Sequence, residues 1–317
     1  MKSYLDLVND CDKFPYFQNN ASQYQAETAE LYNFRIEGVP SNLGYVLPST
    51  VQAIQWPDHW TLDNESKTIT LAAGSSMDDR SKAFESTMLA EREKGTFKLL
   101  KGWGNERYPI YGPDGSVVLS VERATSALFG IVTYGVHLTA YQNTSDGLKV
   151  WVSRRSRSKL TYGGKLDSCV GGSITTGEFP FECLVREAEE EASFPSQLVQ
   201  SKAKSTGAVT YFYIRDERAG GEVGMMQPEC QYVYEIDVGD DFEPRPNDNE
   251  VEEFKLMTID ELRASLANAE FKPNSALILL DFFIRHGVLT PENETDYLEI
   301  LARVHRKLEF PLTRNIP

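Results

Sequence analysis

The sequence has little of several features that mark particular classes of protein. Its four cysteines have neither metal-knuckle nor disulfide-framework spacing, so a reducing compartment fits best and we expect a cytoplasmic protein. No apolar run is long enough for a transmembrane helix, and the first residues, MKSYLDLVNDCDKF, lack the apolar core of a signal peptide. Internal repeats, low-complexity tracts and long linkers are also absent from the sequence.

Acidic residues outnumber basic ones. The sequence has 47 Asp and Glu and 32 Lys and Arg, which gives a formal net charge of −15. This charge argues against a general nucleic-acid binder and against a protein that binds anionic membranes. An anionic substrate would have to be attracted locally, by a metal ion or by a basic patch. The 317 residues, 41% of them hydrophobic, are enough for two globular domains.

The stretch from Gly172 to Phe194, GSITTGEFPFECLVREAEEEASF, carries the strongest pattern in the chain. Nothing from Phe181 to Ala192 breaks a helix, and Pro180 suits a first helical turn, so we predict a helix there. Apolar side chains recur along it at the spacing of a face that packs against a sheet, namely Phe181, Leu184, Val185, Ala188 and Ala192.

Three glutamates lie together on a neighbouring face of this helix. Glu187, Glu190 and Glu191 are spaced i, i+3 and i+4, and each like-charge pair costs roughly 0.2–0.5 kcal/mol on an exposed helix. A hard divalent cation such as Mg²⁺ or Mn²⁺ removes this repulsion and prefers oxygen ligands. Taken alone, the acidic run is explained equally well as a solvated helix face.

The spacing of the whole stretch resembles the Nudix box, in which a glycine is followed by a glutamate six positions on and, after seven more residues, by Arg-Glu-apolar-x-Glu-Glu. The matching residues are Gly172, Glu178, Arg186, Glu187, Ala188, Glu190, Glu191 and Phe194. Ser193 departs from the motif, since the family usually has glycine where the helix ends, and a positive φ at serine would cost some strain. The resemblance implies an α+β fold, with a Nudix α/β/α sandwich, and metal-dependent hydrolysis of a diphosphate joined to another moiety.

The resemblance also implies roles for individual residues. The expected ligands of Mg²⁺ (or Mn²⁺) are Glu187, Glu190, Glu191 and the carbonyl of Gly172. Arg186 would orient Glu187, Glu178 would brace the loop, and one of the carboxylates would take the proton of the attacking water. Glu250, in the acidic loop 240–253, is a further candidate base or ligand, with a solvated loop residue as the alternative.

A basic segment, residues 154–159 with the sequence RRSRSK, precedes the box in this acidic chain. Arginine binds phosphate through two parallel hydrogen bonds, so Arg154, Arg155 and Lys159 are candidate substrate-binding residues. The alternative is an ordinary solvated loop.

The remaining patterns predict the domain organisation. Residues 1–122 are expected to form an N-terminal α+β module, and residues 123–317 the Nudix domain with its C-terminal helices. Apolar runs at 129–139 and 148–153 predict the first hairpin of the Nudix sheet. Thr290-Pro291 predicts the start of a last helix that reaches about Lys307.

Segments outside the box resemble fungal and plant Nudix proteins related to thiamin pyrophosphokinase. These segments include 102–108, 121–123, 128–138, 166–167 and 271–274. This second resemblance implies hydrolysis of thiamin diphosphate, and preferentially of its oxo- and oxy-analogues, to the monophosphate. Candidates for stacking on the organic ring are Trp103, Tyr108, Tyr134 and His137, and core packing explains each of them at least as well.

Other functions share parts of this pattern. A Nudix hydrolase of nucleotide diphosphates, such as 8-oxo-dGTP or ADP-ribose, would have the same box. An isopentenyl-diphosphate-type isomerase would need a catalytic cysteine, and Cys169 lacks the double-cysteine and histidine setting, so that a small buried residue is the simpler explanation. A non-catalytic diphosphate sensor would not need the full set of glutamates. We expect a small-molecule diphosphate as partner, neither nucleic acid nor membrane, and leave the oligomeric state open.

Overall fold

A computed structural model describes residues 1–159, 161–312 and 314. The first part of the chain contains α1 (Tyr4–Cys11), α2 (Ala21–Thr28), β1 (Tyr32–Ile36), β2 (Gly44–Val46), α3 (Pro48–Ala53), β3 (Trp60–Asp63), β4 (Thr68–Leu71), α4 (Met77–Lys94), β5 (Arg107–Tyr111), β6 (Val117–Glu122) and α5 (Ser126–Phe129). Four of these strands form a sheet in the order β2-β1-β4-β3, while β5 and β6 form a separate hairpin.

The second part contains β7 (Thr133–Thr144), β8 (Gly147–Arg155), β9 (Leu166–Asp167), β10 (Val170–Ser173), α6 (Pro180–Ala192), α7 (Ser196–Lys202), β11 (Lys204–Ile214), β12 (Met226–Asp237), β13 (Val251–Thr258), α8 (Ile259–Ala267), α9 (Pro273–Arg285) and α10 (Tyr297–Arg303). Its strands form one sheet in the order β11-β12-β7-β8-β13, with β10 paired to β7 and β9 paired to β8. β7 and β12 are parallel neighbours, whereas β7 and β8 form the predicted antiparallel hairpin.

The first strand of this hairpin starts four residues later than the sequence predicted. Ser126–Phe129 instead form the short helix α5, which ends at Gly130 with φ +57°. Gly130 lies directly against the backbone of Tyr45, where a Cβ would overlap the carbonyl oxygen. Glycine is therefore needed here for both conformation and space, and the turn it makes separates the helix from β7.

The seven-stranded sheet is covered by helices on both faces. Val136, Leu138 and Ala140 of β7 pack in one core with Leu184 and Ala188 of α6. The opposite face packs against α9, whose buried side chains share a second core with Val150, Val152 and Val233. The α+β class and the α/β/α arrangement predicted from the sequence are thus confirmed.

The N-terminal helix α1 packs against this second part of the chain. Leu7, Val8 and Cys11 are buried in the same core as α9. The next residue, Asp12, is buried and accepts a hydrogen bond from Nη1 of Arg306 at 3.1 Å. The first turns of the chain and its C-terminal region therefore close around the same sheet, although the predicted boundary at residue 122 assigns them to different domains; that boundary stays a prediction.

The last helix is shorter than predicted. The sequence suggested a helix from Thr290 to about Lys307, but α10 spans only Tyr297–Arg303. Before it, the side chain of Asn293 accepts from the Thr290 N–H at 2.9 Å and donates to the Val288 carbonyl at 3.1 Å. Such local bonds between side chain and backbone compete with helical hydrogen bonds and explain the delayed start.

Within the described ranges, no helix is both long enough and apolar enough to cross a membrane.

Candidate functional site

The helix α6 carries the acidic face, and its ends explain its position. It begins at Pro180, as the sequence predicted, because proline at the first position removes an N–H that has no intrahelical partner. It ends at Ser193, whose φ of +57° is left-handed. This conformation costs a non-glycine residue on the order of 1 kcal/mol, and the Ser193 hydroxyl offsets part of the cost by donating to the Arg245 carbonyl at 3.0 Å.

Glu187 lies directly against the backbone of β10. A Cβ at Gly172 would overlap Glu187 Cγ, so only glycine leaves room for the carboxyl side chain there. The strand β10 is held beside β7 by antiparallel pairing, with Gly172 opposite Val136. The structure therefore brings together Glu187 and Gly172, two residues that the sequence placed in the metal site.

Glu191 lies next to them and is almost fully buried, with 9% of its surface exposed. Its Oε2 accepts a hydrogen bond from the Gly171 N–H at 3.0 Å. Burial raises the pKa of Glu191 well above its ordinary value and raises the pKa of Glu187 to about 7, in the latter case against the lowering effect of Arg186. The Glu187 charge raises the pKa of Glu191 further, and this part of the site therefore holds more negative charge than its own cations balance.

Arg186 links the box loop to the glutamates. Its Nε and Nη2 donate to the two carboxylate oxygens of Glu178 at 2.9 and 3.2 Å. Its Nη1 donates to Glu187 at 2.9 Å and to Glu190 at 3.0 Å. Glu178 also accepts from the N–H and hydroxyl of Thr175, and although burial acts to raise its pKa, the bonds to Arg186 and Thr175 lower it on balance. These are the contacts that the orienting and bracing roles require.

The oxygen donors of this site fit a hard divalent cation. Two carboxylates are removed from water beside a backbone carbonyl, and their shared repulsion is what such an ion relieves. In residues 1–159, 161–312 and 314, however, no three carboxylate, imidazole or thiol side chains already converge closely enough to hold a metal ion. The bonds from Arg186 to Glu187 and Glu190 account for this, because they direct two of the expected ligands toward the guanidinium.

Glu250 acts on the same site through its charge. It lies just before β13, its side chain forms an ion pair with Lys159, and its carbonyl accepts the Ser156 N–H at 2.8 Å. The Glu250 charge raises the pKa of both Glu187 and Glu191. Loop 240–253 thus brings a fourth carboxylate close to the acidic face of α6, and its role as base or ligand stays a prediction.

The basic segment 154–159 already has acidic partners within the protein. Arg154 Nε donates to Glu253 at 2.7 Å, and its Nη1 donates to the Gly164 carbonyl at 2.9 Å. Arg155 Nη1 donates to Asp167 at 2.8 Å and has only 15% of its side chain exposed. Since Lys159 is paired with Glu250, all three predicted substrate-binding side chains are engaged, and their contact with phosphate stays a prediction.

Asp167 is a buried charged residue whose role sequence reasoning missed. Its carboxylate accepts a hydrogen bond from the Ser275 hydroxyl and forms an ion pair with Arg155. Lys272 Nζ lies 3.8 Å away from it. Burial acts to raise the pKa of Asp167, but the charges of Lys272 and Arg155 lower it well below its usual range. The dipeptide Leu166-Asp167 was noticed only as part of a resemblance, because nothing in the local sequence shows which distant cations surround it.

Three of the four aromatic candidates for ring stacking are buried. Tyr108, Tyr134 and His137 have between 4 and 6% of their surface exposed. His137 Nδ1 shares a hydrogen bond with the Ser168 hydroxyl at 2.9 Å, and burial lowers the pKa of His137 to about 4. Trp103 is partly exposed and lies under the Arg92 guanidinium, 5.2 Å from its ring centre. Tyr108, Tyr134 and His137 are therefore part of the packed interior in this structure.

Two known protein families match successive parts of the chain. The NUDIX domain matches residues 134–279, and a domain of unknown function (DUF4743) matches residues 5–133. The segment 134–279 is therefore similar to a Nudix domain. The box residues gathered around Gly172 lie inside it, and the DUF4743 region supplies α1 and the N-terminal module.

Proteins similar to this chain occur in a yeast and in a plant. An uncharacterized protein of Saccharomyces cerevisiae is 40% identical over 218 residues, which cover 67% of this chain and 64% of that protein. Nudix hydrolase 20, chloroplastic, of Arabidopsis thaliana is 32% identical over 232 residues, which cover 73% of this chain and 59% of that protein. The chain thus spans less than two thirds of the length of these curated relatives. The cytoplasmic location stays a prediction.

Some solved structures are similar to this chain at greater distance. A crystal structure of a protein from Deinococcus radiodurans is 24% identical, with a TM-score of 0.40, and the match covers 55% of this chain and 97% of that one.

The N-terminal module contacts the loop that precedes α6. The Thr176 N–H donates to the Arg107 carbonyl at 2.8 Å, and the Thr176 and Ser120 hydroxyls share a hydrogen bond of 2.7 Å. Tyr108 lies close to Ser173, the residue after Gly172. Strands β5 and β6 therefore contact the loop between β10 and α6, which was not evident from the sequence.

A groove of about 850 Å³ runs along α6 beside this face. Arg186 and Glu190 line it together with Val185 and Asn247, whereas Glu187 and Gly172 do not. The groove reaches only the exposed end of the acidic face, and we place the reacting groups at the Gly172 end because the buried carboxylates lie there.

Proposed function

We propose that the protein is a divalent-metal-dependent Nudix hydrolase that cleaves the phosphoanhydride bond of a diphosphate substrate. The observation that carries this proposal is the pair Glu187 and Glu191, buried against Gly171 and Gly172 with more negative charge than nearby cations balance. A site with no need of a cation would gain stability by replacing such carboxylates with neutral residues.

The side chains of Glu187, Glu190 and Glu191 and the Gly172 carbonyl would hold Mg²⁺ or Mn²⁺. When bound, such an ion neutralises charge on the phosphate oxygens and lowers the pKa of water. Arg186 keeps Glu187 oriented through its 2.9 Å hydrogen bond. Its two hydrogen bonds to the Glu178 carboxylate keep the box loop in place. Removal of Arg186 would therefore disturb both the loop and the helix face.

Water attacks one phosphorus in line with the bridging oxygen, the bond from that phosphorus to the bridging oxygen breaks, and a monophosphate leaves. A carboxylate must take the proton of the water. Glu187 is one candidate for this role, because its carboxyl group lies directly against Gly172 at the proposed reaction site. Glu250 is the second candidate, since its charge acts on Glu187 and it is exposed in its loop.

For the substrate we propose thiamin diphosphate and its oxo- and oxy-analogues, hydrolysed to their monophosphates. Support comes from segments outside the box that resemble the thiamin pyrophosphokinase-related Nudix proteins. The contact between the N-terminal module and the loop 173–176 adds a physical reason, because it places residues of the module next to the reacting groups. Selectivity for the organic end of a diphosphate needs such additional surface, as the metal and phosphate contacts are common to all substrates.

The test is a comparison of kcat/KM for thiamin diphosphate, its oxo- and oxy-analogues, ADP-ribose and 8-oxo-dGTP at one Mg²⁺ concentration. We expect the thiamin compounds to react fastest. If a nucleotide exceeds every thiamin compound by tenfold or more, the substrate proposal fails and the hydrolase proposal stands. If none of the five is hydrolysed, with Mg²⁺ or with Mn²⁺, while the protein is folded, the hydrolase proposal fails as well.

A further inference from the structure

The loop between β10 and α6, residues 174–179 and here called the box loop, is tied to the N-terminal module at Thr176. The Thr176 N–H donates to the Arg107 carbonyl of β5 at 2.8 Å, and the Thr176 hydroxyl donates to the same carbonyl at 3.2 Å. The Ser120 hydroxyl of β6 shares a further hydrogen bond of 2.7 Å with the Thr176 hydroxyl. One residue of the loop is therefore held by both strands of the hairpin.

The hairpin is itself anchored to the helix α4. The Ser120 N–H donates to the buried Ser81 hydroxyl at 2.9 Å. The Arg107 guanidinium donates to both carboxylate oxygens of Glu85 at 2.7 Å. Ser81 and Glu85 are four residues apart and therefore lie on one face of α4, a helix of 18 residues. Thr176 is thus joined, through one residue of each strand, to a long element of the module.

On its other side the box loop leads directly to the acidic face of α6. Thr175, the neighbour of Thr176, donates to the Glu178 carboxylate from its N–H at 3.3 Å and from its hydroxyl at 3.2 Å. The Glu178 N–H donates back to the Thr175 carbonyl at 3.1 Å, which closes a turn. The Glu178 carboxylate also accepts from Arg186, whose Nη1 donates to Glu187. A shift of Thr176 would therefore move the carboxylate that orients Arg186, and with it Glu187.

The residues that hold the outer side of the box loop lie outside the segment similar to a Nudix domain. In the described part of the chain, the hydrogen bonds that tie residues 175–178 to anything beyond the loop and α6 come from three residues, namely Arg107, Ser120 and Arg314. Arg314 Nη2 donates to the Glu178 carbonyl at 2.9 Å, so the loop is held from two sides. The segment 134–279 contains the box loop but none of these three residues.

We propose that Ser120 is a positioning residue of the metal site, through which the N-terminal module holds the box loop in the arrangement that binds the ion. This inference rests on the proposed function, because it assumes that carboxylates of α6 and the Gly172 carbonyl bind a divalent cation. Groups behind the ligands fix the coordinating geometry and change metal affinity without touching the ion. The Ser120 side chain is buried, with 4% of the residue exposed, and its hydroxyl is directed to Thr176. The region that matches a domain of unknown function thereby has a role at the reaction site.

The experiment measures the affinity for Mn²⁺ in the absence of substrate, by electron paramagnetic resonance of the free ion. The site that counts is the one lost in Glu190→Gln. Loss of one buried hydrogen bond should raise the Kd for Mn²⁺ about fivefold in Ser120→Ala, and at least as much in Thr176→Val. The double variant should bind no more weakly than Thr176→Val alone, because both changes remove the same bond. Thr176→Ser keeps the hydroxyl and should bind Mn²⁺ as wild type does.

Ser126→Ala is the matched control within the same module. Ser126 is also a buried serine, but its hydroxyl donates to the Arg123 carbonyl at 2.8 Å instead of the box loop. This variant should lose a comparable amount of stability and keep the wild-type affinity for Mn²⁺. Circular dichroism checks that every variant is folded.

The outcomes separate this inference from the proposed function. Unchanged Mn²⁺ affinity in Ser120→Ala, or an equal loss in Ser126→Ala, would overturn the positioning role and leave the hydrolase proposal standing. If the affinities change as expected but wild type hydrolyses none of the five diphosphates, the hydrolase proposal fails and the positioning role stands. Wild-type protein without the Mn²⁺ site would overturn both.

Discussion

The acidic face of α6 and the basic segment 154–159 carry opposite charges, and they differ in how far the protein neutralises those charges with ion pairs. Each basic side chain of the segment has an acidic partner: Arg154 with Glu253, Arg155 with Asp167, Arg157 with Glu252 and Lys159 with Glu250. The acidic face has one cation, Arg186, for three carboxylates and receives further repulsion from Glu250.

This difference shows where each charge is used. Ion pairs within the segment fix the start of β13 and the buried Asp167, so its charges are already balanced by the protein itself. On α6 the negative charges are not fully balanced by cations. Burial raises the pKa of Glu187 and Glu191, and repulsion from neighbouring carboxylates raises it further. Charges left unbalanced inside a fold are candidates for ligand binding, whereas balanced ones are first of all structural.

The largest effect should come from removing a carboxylate of the acidic face. Glu190→Gln and Glu191→Gln should each lower kcat by on the order of a hundredfold or more, since even outer-shell partners of a metal are worth 10- to 100-fold. Circular dichroism should show both variants folded. Glu189→Gln is the matched control on the same helix, because its carboxylate accepts from the Ser196 hydroxyl outside the cluster. Near wild-type rates for both variants would refute the metal assignment.

The next effect is on stability and concerns the basic segment. Arg155→Ala leaves Asp167 buried without its closest cation and should lower the free energy of unfolding by about 3 kcal/mol. Arg157→Ala is the control, since 80% of that side chain is exposed and its partner is 3.5 Å away. Urea denaturation followed by fluorescence measures both. A raised KM for the diphosphate with unchanged stability would instead return Arg155 to the phosphate-binding role.

Local sequence patterns were sufficient to predict the site helix. Its start at Pro180 and its acidic run depend on residues within one or two turns of each other, and the structure confirms a helix over Pro180–Ala192. The departure from the motif at Ser193 did not prevent the helix from ending there, with a positive φ. The Nudix fold class followed from the same stretch.

Long-range partners were beyond the sequence. Asp12 and Arg306 are 294 residues apart, yet they pair in the interior and join α1 to the C-terminal region. The partners of Arg154 and Lys159 are supplied by Glu253 and Glu250 from a loop about a hundred residues later. The sequence shows which residues are basic, but only the folded structure shows which acidic residues form ion pairs with them.

The smallest effect is a dependence of stability on pH that the acidic face alone should produce. The folded pKa of Glu187 is about 7, whereas an unfolded glutamate titrates near 4.5. Between these values the folded state binds more protons than the unfolded state, so the free energy of unfolding falls as pH rises from about 4.5 to about 7 and levels off above. We expect a loss of at most about 3 kcal/mol from Glu187 in metal-free protein, spread over this whole pH range.

Denaturation of chelator-treated protein at pH 4.5, 6 and 8 measures this slope, and Glu187→Gln should reduce it while leaving the part that Glu191 contributes. The variant should equal wild type at pH 4.5 and exceed it at pH 8, because amide replaces a carboxylate that is costly only when ionised. Added Mg²⁺ should reverse the order at pH 8, since it binds the ionised carboxylates of wild type and thereby stabilises the folded state. Arg157→Ala, in the balanced segment, should keep the wild-type slope. A slope as steep in Glu187→Gln as in wild type would contradict the raised pKa of Glu187, and Glu191 would be the next carboxylate to replace.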